Sequence, residues 1–100
     1  MYNKIIGLIL AEVKEINENL QNKIPADLGA ATPLFGGKGV LDSIGLVTLV
    51  VAVEQSVEDE FGVSLILANE KAISQKSSPF ASVDALANYI IQLIKEEENG

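Results

Sequence analysis

Apolar residues recur at helical spacing in three stretches of the chain. Ile5, Ile9, Val13, Ile16 and Leu20 step by four, four, three and four positions, which makes one face of a helix over about residues 3–21. From Ser43 to about Glu60, Leu46, Val50, Val53, Val57 and Phe61 keep that period, while Glu54, Glu58 and Asp59 fill the other sides. After Ser82, a good N-cap residue, Val83, Leu86, Ala87, Ile90, Ile91 and Ile94 share a face. The β-branched run from Val47 to Val53 would suit a buried strand on propensity, but the length and period of its segment favour a helix.

Pro25, Pro33 and Pro79 fall between these stretches, where a missing N–H does least harm. Leu67 to Ile73 is read as a short helix ahead of the polar run Ser74 to Pro79, and residues 96–100 as a frayed, solvated end. The expected architecture is all-α. A single domain over residues 1–100, ordered over about 3–95, forms a four-helix bundle of three longer helices and one short one, with a long loop between the first and second.

Composition narrows the chemistry. A chain of 100 residues can bury one core without staples. Its net charge of −7, with seven Lys and no Arg, provides no basic stripe for nucleic acid. The absence of Cys and His removes disulfides, thiolate zinc sites and a self-contained Ser-His-Asp or Cys-His nucleophile. The reading is therefore a protein without catalytic activity of its own. Lys4 ahead of Ile5 to Ala11 could pass for a signal segment, yet Glu12, Lys14 and Glu15 follow at once. No apolar run approaches the ~20 residues of a spanning helix, so a cytoplasmic monomer without membrane insertion is expected.

The informative stretch is Gly39-Val40-Leu41-Asp42-Ser43-Ile44, at whose end helix periodicity begins. An Asp-Ser pair before a helix is ordinarily a plain N-cap. The residues after the pair are more specific. Counting from Ser43, aliphatic residues stand at +1 (Ile44), +4 (Val47), +6 (Leu49), +7 (Val50) and +10 (Val53), with Glu54 at +11. This resembles the acyl carrier and peptidyl carrier protein family, in which Asp-Ser followed by an aliphatic residue opens the second helix of a four-helix bundle. The resemblance covers about residues 3–95, including Thr32-Pro33-Leu34-Phe35 in the long loop and the closing run Ser82 to Ile90.

The resemblance implies that Ser43 carries 4′-phosphopantetheine, transferred from coenzyme A by a phosphopantetheinyl transferase. It implies that Asp42 assists that enzyme through Mg²⁺, a hard cation suited to carboxylate and pyrophosphate oxygens. Further partners would be an acyl- or aminoacyl-loading ligase or transferase and downstream synthases, between which a freestanding carrier shuttles thioester-bound intermediates. The physical reading is compatible. A helix start offers unpaired N–H donors to a phosphodiester, but its dipole contributes only ~0.3–1 kcal/mol, so activation must come from another protein.

The chain departs from the family pattern twice. The aromatic position usual at +14 is Val57, and Phe61-Gly62-Val63 arrives at +18. Four added residues turn a helix by a net ~40° and lengthen it by ~6 Å, which leaves Phe61 on the buried side of a second helix one turn longer. Acidic residues usual at +2 and +5 in carriers of fatty-acid synthesis are Gly45 and Thr48 here. A dedicated pathway is expected, with docking through Leu41, Ile44 and Thr48 and with Glu54 at the edge of that surface. Val47, Val51, Phe61, Ile66 and Ala72 could line a space for an acyl chain or be ordinary core. Two further features fall away: Gly36-Gly37-Lys38-Gly39 misses the phosphate-loop template, and Glu58-Asp59-Glu60 points in three directions on a helix. The rival from another class is a small helical interaction module with Ser43 as a simple N-cap.

Overall fold

A computed structural model of the chain describes residues 1–19, 23–35, 39–67 and 79–99, with Ser43 and residues 97–99 as backbone alone. The described residues form helices and two isolated β-bridges, with no strand. Helix α1 spans Tyr2–Asn17, a 3₁₀ helix Ala26–Ala31, α2 Ser43–Phe61 and α3 Val83–Asn99. The all-α expectation therefore holds, and the three long helices start within a residue of their expected positions.

A short helix is described where none was expected. It is the 3₁₀ helix before α2, whereas the expected helix at Leu67–Ile73 lies, apart from Leu67, outside the described residues. Of residues 96–100, expected as a frayed end, 96–99 continue α3 to Asn99, and Gly100 lies outside the described residues. Lys and Glu are good helix formers, and Gln92 Nε2 reaches Glu96 Oε1 at 3.4 Å one turn on.

Helix α1 is the hub, packing on α2, α3 and the 3₁₀ helix, which in turn rests on α3. Its stripe Ile5, Ile9 and Val13 is fully buried, as are Val50, Val53 and Val57 of α2 and Val83, Leu86, Ala87 and Ile90 of α3. Phe80, also fully buried, meets Tyr89 edge-on with ring centroids 6.2 Å apart. Helix α2 continues to Phe61, as the spacing of its apolar residues predicts. Phe61 ends it half-buried against the core, with Lys4 Nζ 5.8 Å from its ring and paired with Glu60. Gly62 stops the helix at φ 68°, its N–H donating to Glu58 O at 2.8 Å, a left-handed cap that a side chain would strain.

Candidate functional site

The start of α2 is held by the loop before it. Thr32, buried, donates its hydroxyl to Gly29 O at 2.6 Å and accepts Val83 N–H on its own carbonyl at 3.0 Å. Leu34 N–H then donates to Ala81 O at 2.8 Å, and Leu41 N–H to Leu34 O at 3.0 Å. The chain thus runs from the N-terminus of α3 to the doorstep of α2 through three backbone hydrogen bonds. Gly39 is wedged into this turn: a Cβ there would sit 2.5 Å from Phe35 N and 2.6 Å from Leu34 O. Gly36, Gly37 and Lys38 of the rejected phosphate-loop reading lie outside the described residues.

Asp42, not Ser43, is the N-cap. Its backbone is extended and its Oδ1 accepts Gly45 N–H at 2.7 Å, while Ser43 is the first helical residue. The reading of Ser43 as a simple cap is corrected accordingly. Either residue type can cap; Leu41 decides, because its burial at 6% exposure anchors the chain one residue before Asp42. Asp42 and Ile44 flank Ser43 and are both exposed, Ile44 at 79%. The helix start also concentrates N–H groups that have no intrahelical acceptor, a setting suited to an anion.

The residues expected at a partner surface divide between exposed and buried positions. Ile44 and Thr48 are exposed, with the Thr48 hydroxyl turned back to Ile44 O at 2.9 Å. Leu41 is corrected to a core residue. Glu54 is half-buried and its Oε2 accepts Leu67 N–H at 2.6 Å, so it fastens the segment after α2 to the helix instead of facing outward. Two residues expected to line an inner space are on the surface: Val47 and Val51, exposed at 44% and 54%. Ile66 is also exposed, and Ala72 lies outside the described residues.

Ile44, Val47 and Val51 thus form an exposed apolar row leading away from Ser43, which sequence reasoning assigned only at its first member. The signal was available. Residues 44–53 hold more aliphatic side chains than one buried stripe can use, and the surplus at 44, 47 and 51 keeps its own helical spacing. Among the described residues no group of three or more acidic side chains is arranged to hold a metal, and no helix is long and apolar enough to cross a membrane.

No protein-family model matches the chain, and comparisons with curated proteins and with solved structures returned no match.

Proposed function

We propose that the chain is a freestanding carrier protein whose Ser43 is modified with 4′-phosphopantetheine and which passes thioester-bound intermediates between enzymes. The observation that carries this reading is the capping of α2 by Asp42. It leaves Ser43 as the first helical residue between two exposed neighbours, after a loop tied down by backbone hydrogen bonds. In the transfer, a bond forms between the Ser43 oxygen and phosphorus while the pyrophosphate P–O bond of coenzyme A breaks. The nucleoside bisphosphate leaves, and the hydroxyl proton goes to a base that the transferase supplies, since this chain has no His. Asp42 keeps a solvent-exposed carboxylate one residue before Ser43, suited to share a Mg²⁺ ion with the pyrophosphate. The exposed row Ile44, Val47 and Val51, free of the acidic residues common in carriers of fatty-acid synthesis, supports a dedicated set of partners.

The test is incubation with coenzyme A and a broad-specificity phosphopantetheinyl transferase, then measurement of intact mass. The expected result is one phosphopantetheine adduct, absent from Ser43→Ala. No adduct with several transferases, on protein shown to be folded by circular dichroism, overturns the reading. The same exposed row favours a second reading, a helical interaction module that needs no modification, which that outcome would leave standing. Dedicated partnership has its own check: efficient malonylation of the holo form by a fatty-acid malonyl transferase would defeat it.

A further inference from the structure

A groove of about 200 Å³ runs between α1 and α2. Ile16, Leu49 and Ala52 give it an apolar lining, and Glu12, Glu15, Asn19 and Thr48 complete it. Its two acids differ in setting. Glu12 is half-buried and pinned by the Ser56 hydroxyl, which donates to its Oε1 at 2.6 Å, while Glu15 is exposed. Among the described residues neither carboxylate forms an ion pair. The helices run antiparallel, since Lys4 pairs with Glu60 and Glu12 with Ser56, and the groove lies in the half of the bundle where α2 begins. Leu49 stands six residues after Ser43, ~9 Å along the axis and ~240° around it, so an arm from Ser43 has to round the start of α2 to reach the groove. An arm of one phosphodiester and two amide-linked units is about as long as five extended residues, ~17 Å, enough for ~9 Å along the axis and ~10 Å across the helix.

The lining selects among cargoes. An unadorned acyl chain would use the apolar floor and draw nothing from the two negative charges beside it. A malonyl-type group would bring a third negative charge into the groove. A short aliphatic side chain bearing a primary ammonium satisfies both the floor and the wall. We propose that this groove receives the ammonium-bearing end of an aminoacyl group carried on Ser43. The inference deepens the carrier reading and rests on it for the identity of the occupant. The recognition itself belongs to the unmodified chain.

That separation sets the experiment. ¹⁵N-labelled, unmodified protein is titrated with leucinamide and, separately, with N-acetyl-leucinamide, which has the same side chain and no charge. Leucinamide is expected to move the amide signals of Ile16, Thr48, Leu49 and Ala52 in a saturable way, and the acetylated form to move them far less. Glu12→Gln and Glu15→Gln should each weaken leucinamide binding by up to about fivefold, the scale of one partly solvated charge pair, while Glu58→Gln, outside the groove, leaves it unchanged. Absence of saturable shifts at these amides up to the solubility limit, equal response to the two ligands, or insensitivity to both groove variants overturns the proposal. Failure of the carrier reading shows separately, as a missing mass adduct on Ser43.

Discussion

Asp42 does two separable jobs in this reading, and both come from one carboxylate. As a cap it accepts Gly45 N–H at 2.7 Å; as an exposed anion it stands next to Ser43 in the chain for a metal-assisted transfer. Asparagine caps a helix about as well as aspartate but carries no charge. Asp42→Asn is therefore expected to unfold in urea within about 0.5 kcal/mol of the wild type, whereas Asp42→Ala loses about 1 kcal/mol. Both should slow adduct formation by roughly tenfold or more, the factor that corresponds to ~1.4 kcal/mol of ion binding. An Asn variant modified at the wild-type rate would reduce Asp42 to a cap. Neighbouring residues explain why an Asp-Ser pair is ambiguous when read alone. Two cap-competent side chains stand side by side, and the choice between them is made by Leu41 reaching the core, a contact set by the distant Leu34 and Ala81.

At the scale of elements, the long helices were legible because each buries a stripe that local spacing encodes. The reach of α2 as far as Phe61 was legible for the same reason, Phe61 being four residues beyond Val57 and still on the inner side. The 3₁₀ helix Ala26–Ala31 was not, since Ala-Asp-Leu-Gly-Ala-Ala has no period and its conformation depends on buried Thr32 bonding back to Gly29 and Pro25. The α1 stripe promised a helix to residue 21, but α1 ends at Asn17. The reason is a side chain acting as backbone: Asn17 exchanges two hydrogen bonds with Ile24, at 2.8 and 2.9 Å. Two glycines test how the connections are built. Gly62→Ala meets open space and only the strain of φ 68°, a cost of about 1 kcal/mol. Gly39→Ala drives a methyl into the Leu34–Phe35 backbone and should cost more, on the order of 2–3 kcal/mol. Denaturant midpoints of the two variants provide the comparison, and equal losses would mean that the loop before α2 yields easily.

Across the whole molecule, the ends of the helices are tied by polar contacts that leave the apolar stripes undisturbed. The radius of gyration, 12.6 Å, is that of a close-packed chain of this length. Lys4 joins the start of α1 to the end of α2, and the Tyr2 hydroxyl joins it to Asp84 in the first turn of α3. Asp84 is well placed there, since a carboxylate near a helix N-terminus is favoured by the dipole and also accepts from Asn88 at 3.3 Å. The Tyr2–Asp84 contact depends on pH. Donating to Asp84 holds the Tyr2 hydroxyl above its ordinary value of 10.0, with burial and the Asp84 charge acting in the same direction. A group whose pKa is higher in the folded state binds its proton more tightly there. Its contribution is complete below the unfolded value and lost as pH rises through the folded one. Folding stability should therefore lose this contribution only above about pH 10, as the phenolate forms opposite a carboxylate. Tyr2→Phe, which cannot donate, should remove the high-pH component of the tyrosinate absorbance and flatten the fall in denaturant midpoint over the same range. A wild-type midpoint that falls in parallel with that of Tyr2→Phe above pH 10 would show that α1 and α3 are held at this end by packing of Tyr2 alone.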